Sequence, residues 1–161
     1  MHAVAVPREG ADRAMEIMVV ILLYLFICSC IDIRTRELPV CLIGTGLLLS
    51  VVLFIIQVCA QNRQWTDVFF AVLPGGMLVL LSFQKNKMIG TADGLIFIMT
   101  GLCYSIDKNL MLLIGSFLLA GLSGCIFLLV RKESMKKIKL AFVPFIFAAS
   151  VIVETIAITN V

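Results

Sequence analysis

The chain has 161 residues, 61% of them apolar and 14% charged, with 13 Lys plus Arg against 10 Asp plus Glu and a net charge of +3; its mean hydropathy is +1.12. A soluble domain carries roughly 45–50% apolar and about 25% charged residues, so the composition excludes one. One histidine and no CxxC pair leave almost no material for a Cys and His zinc site, and the sequence offers no glycine-rich nucleotide loop, serine triad or nucleic-acid patch with interleaved aromatics.

In chain order, residues 1–13 form a short N-terminal tail, with Met1 and Met15 both possible starts. Six apolar runs follow, at 17–31, 39–60, 68–83, 94–106, 110–130 and 140–158, and the only charge inside them is Glu154. A span needs about 20 apolar residues to cross about 30 Å of hydrocarbon, and charge is kept outside it. The pattern predicts an all-α polytopic membrane protein of six transmembrane helices, forming a single transmembrane domain over 1–161. With five more runs after it, the first is expected to be an uncleaved span and not a signal peptide. Cys28, Cys30, Cys41, Cys59, Cys103 and Cys125 all lie in the runs, where cysteine acts as a small hydrophobe.

If all six runs cross, the loops after the odd-numbered spans share one face. Those loops hold Arg34, Arg36, Lys85, Lys87, Arg131, Lys132, Lys136, Lys137 and Lys139, against Arg8, Arg13, Arg63 and Lys108 on the other face. Short basic loops are retained in the cytoplasm, so the odd loops are expected inside and both termini outside. The cluster 131–139 is expected to serve as a retention signal, with contact to anionic lipid as an accessory reading.

Two acids abut spans on that inner face, Asp32 after the first run and Asp93 before the fourth. Asp32 has a local partner in Arg36, four residues on. The fourth run has 13 residues, about 20 Å as a helix, too short to cross. Its helix is therefore expected to begin near Met88, which puts Asp93 more than one turn inside, facing protein or water. Gly90 and Gly94 then form a small-xxx-small pattern for close packing, and also let another backbone approach the acid.

Two carboxylates that meet support a defined chemistry. They cannot both ionise freely at short range, so one keeps a proton and the pair titrates as a unit. The ionised member takes a proton from water while the protonated one polarises a peptide carbonyl, with no metal or cofactor. Arg34, Arg36, Lys85 and Lys87 oppose this by favouring the doubly ionised state.

At these residues the chain resembles the prepilin peptidases, the GxGD-type membrane aspartic peptidases. Residues 30–39, Cys-Ile-Asp-Ile-Arg-Thr-Arg-Glu-Leu-Pro, resemble the first motif, an aspartate ending a span with a proline seven residues later. Residues 89–95, Ile-Gly-Thr-Ala-Asp-Gly-Leu, resemble the second, a glycine three residues before the other aspartate. A Pro-Phe pair at Pro144 and Phe145 is a weaker third likeness. Ala92 stands where the family has its second glycine, Val40 where an asparagine or aspartate often follows the proline, and the usual lysine after the second aspartate is missing.

The resemblance implies Asp32 and Asp93 as catalytic residues, with Gly90, Gly94 and Pro39 supporting the site. It implies removal of the leader of prepilin or pilin-like precursors at the cytoplasmic face of the cell membrane, after a glycine and before the precursor's apolar helix. The gap between the first two spans has no room for the family's CxxC-bearing methyltransferase segment, so the chain resembles the short, peptidase-only form. The alternative reading is a small proton- or cation-coupled transporter or channel subunit using Asp32, Asp93 or Glu154, against which no inverted repeat relates the two halves.

Six further residues have structural expectations. Glu154, near the end of the last run, is expected to reach interfacial water, and Trp65 to anchor the interface from the loop before the third span. Pro74, Gly75 and Gly76 are expected to bend or thin that span. Pro39 also suits the first turn of the second helix.

Overall fold

The computed structural model describes residues 8–35, 38–61, 65–83, 90–131 and 141–159. Each apolar run corresponds to one helix, the fourth running past its end so that its last residue opens the next: α1 Arg8–Thr35, α2 Val40–Gln61, α3 Trp65–Ser82, α4 Thr91–Cys103, α5 Ile106–Arg131 and α6 Val143–Thr159. No strand occurs among the described residues. Met15–Thr35, Val40–Cys59 and Ile106–Phe127 are long and apolar enough to cross a membrane, whereas α3, α4 and α6 contribute shorter apolar segments. α1 starts within the tail expected over 1–13, and Trp65 opens α3 instead of preceding it.

The bundle has an apolar core, but its surface is apolar too and several polar groups are turned inward. Buried positions include Ser29, Asp32, Ser50, Gln57, Ser116 and Glu154, while Leu48, Phe69, Met77, Leu80, Leu118 and Leu129 stand exposed. Apolar surface on this scale suits lipid, and the polar groups turned inward find partners there. The protein is a membrane protein by this measure.

Contacts fix the helix directions. Tyr24 of α1 donates from its hydroxyl to the Leu42 carbonyl of α2, Phe26 packs at a tilt against Phe147 of α6, and Lys108 of α5 reaches Glu154 of α6. These pairs run α1 antiparallel to α2 and α6, and α5 antiparallel to α6. The C-terminal end of α1 therefore adjoins the N-terminal end of α6.

The central element is α4, whose Gly94, Ile96, Phe97, Met99, Thr100, Gly101 and Cys103 are buried. Too short to cross hydrocarbon alone, it is wrapped by its neighbours. α3 and α4 lie almost backbone to backbone: a Cβ on Gly75 would meet the Ile98 nitrogen at 2.5 Å, and one on Gly94 the Val79 nitrogen at 2.8 Å. Of the expected thin segment in α3, Gly75 does the packing, whereas a Cβ on Gly76 would meet nothing within 4 Å. Asn109, wholly buried, ties three helices together. Its amide donates to the carbonyls of Ala71 at 2.7 Å and Phe97 at 3.3 Å, and its carbonyl oxygen accepts from Thr100 at 2.8 Å.

Candidate active site

Asp32 lies one turn from the end of α1 and is 7% exposed. Burying a carboxylate among apolar helices is costly unless donors reach it. The donor here is the first amide of α6: the Val143 N–H gives a hydrogen bond to Asp32 Oδ2 at 3.1 Å, and the Phe142 amide faces the same carboxylate. A helix N-terminus presents free amides and the positive end of the backbone dipole, so it suits an anion. Arg34 is exposed, and Arg36, Lys85 and Lys87 lie outside the described residues, so the expected Asp32–Arg36 pair falls there too.

Asp93 belongs to a different part of the fold. The expectation of a helix starting near Met88 is corrected: α4 begins at Thr91, with Gly90 as its N-cap in extended conformation at φ −71°, ψ 137°. The Asp93 amide donates to the Gly90 carbonyl at 3.1 Å. Asp93 thus sits in the first turn, where the three-residue offset from the cap lets its carboxylate turn back onto the cap backbone. A Cβ on Gly90 would stand 3.0 Å from Asp93 Oδ2, so this glycine faces the acid and takes no part in a helix-packing stripe. Gly94 does face α3, against Val79.

Asp93 lies near enough to Asp32 to feel its charge. The fold therefore gathers three helix ends, the last turn of α1 and the first turns of α4 and α6, around two carboxylates, each lying at a helix N-terminus.

Pro39 immediately precedes α2, and its carbonyl accepts from the Leu42 and Ile43 amides at 2.9 and 3.3 Å. It caps the helix instead of standing in its first turn. Ala92, next to Asp93, is partly buried.

Glu154 does not reach water. It is 4% exposed and bonded to Lys108 Nζ at 3.1 Å, with the Tyr104 hydroxyl beside it. The cause is the length of α5, which begins at Ile106 and so carries Lys108 in its first turn, directly across from the end of α6. This pair stands at the opposite end of the bundle from Asp32.

Sequence reading missed the α6 amides, because backbone donors carry no residue-type signature. The usable signal was Pro144, a proline just inside a run, where helix starts favour it. It also missed Asn109, a lone amide beside two runs.

A family model describing the type IV leader peptidase family matches residues 19–129, a stretch that contains both aspartates. No curated protein and no solved structure gives a match. The family match lends the transporter reading no support.

Proposed function

The chain belongs to the type IV leader peptidase family, and we propose that within it this protein is an aspartic endopeptidase that removes the leader of prepilin or pilin-like precursors. Asp32 and Asp93 form its catalytic pair, Gly90 leaves room for the Asp93 carboxylate, Gly94 lets α3 pack against the turn that carries it, and Pro39 sets the start of α2. What supports this reading is that Asp93, on a helix distant in sequence, lies near enough to Asp32 to feel its charge. Six spans, termini outside and a cytoplasmic site complete the proposal, supported by the distribution of basic residues.

In the reaction one proton is shared by the pair. The ionised carboxylate takes a proton from water as the water oxygen bonds to the peptide carbonyl carbon, and the protonated carboxyl hydrogen-bonds the carbonyl oxygen. The tetrahedral species then loses its C–N bond, the leaving nitrogen accepts a proton from the pair, and the products are a carboxyl and an amine, with one proton again on the dyad. Confinement of enzyme and precursor to one bilayer places the leader junction near the pair at high effective concentration.

The test is co-expression with a pilin-like precursor, following leader removal by the size of the product. Asp32→Asn and Asp93→Asn each abolish processing, whereas Asp67→Asn, an exposed carboxylate in the first turn of α3, does not. Leader removal that persists in either of the first two variants refutes the dyad.

A further inference from the structure

The two aspartates are held differently, and the difference lies in α6. Asp32 accepts a hydrogen bond from another helix, the 3.1 Å bond from the Val143 amide. The backbone partner of the Asp93 carboxylate is local, its own cap residue Gly90, and among the described residues no second helix donates to it. Resting on the dyad reading above, we infer that the first amide of α6 is a positioning group that keeps Asp32 as the anion of the pair, making Asp32 the base that activates water and leaving the shared proton on Asp93.

Two backbone donors carry this effect, the Val143 amide inside the helix and the Phe142 amide just before it. The residue after Val143, Pro144, has no N–H. The Phe145 amide is already used, donating to the Phe142 carbonyl at 3.0 Å, as is that of Ile146 at 3.3 Å. Val143 is thus left as the amide of the first turn free to serve a neighbour, and the backbone dipole of α6 points its positive end at the same place. A hydrogen bond to the charged form of a carboxylate favours that form.

Val143 is itself 1% exposed, so water does not compete for its N–H. Among the described residues, the titratable groups facing Asp32 are Asp93 from α4 and Cys28 from the preceding turn of α1. The first turn of α6, Val-Pro-Phe-Ile, has no ionisable side chain, and the first turn of α2 offers only the exposed Cys41.

The inference separates Asp32 from Asp93 by a test on the backbone. Val143→Pro removes the N–H at the first helical position, where proline is well tolerated, and Val143→Ala trims the same side chain but keeps the N–H. Each purified variant cleaves a synthetic precursor with a leader ending in glycine ahead of a 20-residue apolar helix, across a pH series. With Val143→Ala the acidic limb of the rate profile stays where it is in the parent protein; with Val143→Pro it moves up by about half to one pH unit. Superimposable limbs for the two variants overturn the inference.

A second measurement does not depend on proline being accepted. Amides in a first helical turn ordinarily lack partners, so protection of the Val143 amide from hydrogen exchange should depend on Asp32. In Asp32→Ala it exchanges at least about tenfold faster, a loss on the scale of one hydrogen bond; unchanged exchange overturns the inference. An Asp32→Asn protein that still cleaves at the parent rate counts against the dyad instead, whatever the exchange result.

Discussion

Lys108 Nζ and the Glu154 carboxylate, from the first turn of α5 and the closing turns of α6, meet at 3.1 Å with Glu154 buried and the lysine 39% exposed. The pair clamps the end of the bundle away from Asp32, and its two members are not equivalent. Removing the lysine strands a buried carboxylate, whereas removing the carboxylate's charge leaves a cation that can turn to solvent.

Lys108→Met should therefore lower stability more than Glu154→Gln, by on the order of 1–2 kcal/mol. Thermal unfolding in one detergent would show it as a lower Tm for the lysine variant. Cleavage per folded molecule should be the same in both, since neither group touches the aspartates. An equal loss of Tm would mean that the pair is more hydrated than its burial indicates.

The glycines of α3 offer a contrast within one dipeptide. Gly75→Ala drives a methyl into the α4 backbone at Phe97 and Ile98, which should cost about 1–3 kcal/mol by overpacking. Because α4 carries Asp93, cleavage should fall as well. Gly76→Ala points into open space and should be neutral or stabilising by up to about 1 kcal/mol through helix propensity. Urea or thermal unfolding of the two variants side by side reads the difference.

Gly90→Ala tests the site without testing the fold. The φ and ψ of Gly90 are ordinary for alanine, so its backbone is not strained, but the added methyl would press on Asp93 Oδ2. The expected result is an unchanged Tm with cleavage reduced on the order of tenfold, the scale of a sub-ångström displacement of a reacting group. A loss of Tm as large as that of Gly75→Ala would assign Gly90 to packing instead.

Asn109→Ala should be the most damaging single change outside the site. It strips a donor from the Ala71 and Phe97 carbonyls and an acceptor from the Thr100 hydroxyl, a loss on the order of 2 kcal/mol or more. Asn109→Asp should be worse, since it sets a carboxylate oxygen against those two carbonyls. Tm values in that order would check the bracket.

Much of the fold was legible because lipid imposes a simple rule on sequence, and the six apolar runs correspond to the six helices. Alternation of consecutive helices sets the ends of α1, α4 and α6 on one side of the bundle, which is why two distant acids could be assigned to one side from sequence, whereas their approach depends on packing. What stayed hidden depends on other information. The start of α4 turns on the extended backbone of Gly90, which residue type alone does not specify. Glu154 was read as hydrated because its partner, Lys108, lies in a polar stretch between two runs and becomes opposite only when α5 extends back over it. The amide that holds Asp32 belongs to a valine, whose side chain says nothing about its backbone.

The account rests on Asp32 and Asp93 acting as one catalytic unit. The most direct measurement is the rate of precursor cleavage by purified parent protein, Asp32→Asn, Asp93→Asn and the double variant. Residues that act as a unit are non-additive, so each single change should lower the rate at least about a thousandfold, with the double variant no lower than either. A single variant that keeps the parent rate, or losses that multiply in the double variant, would contradict it.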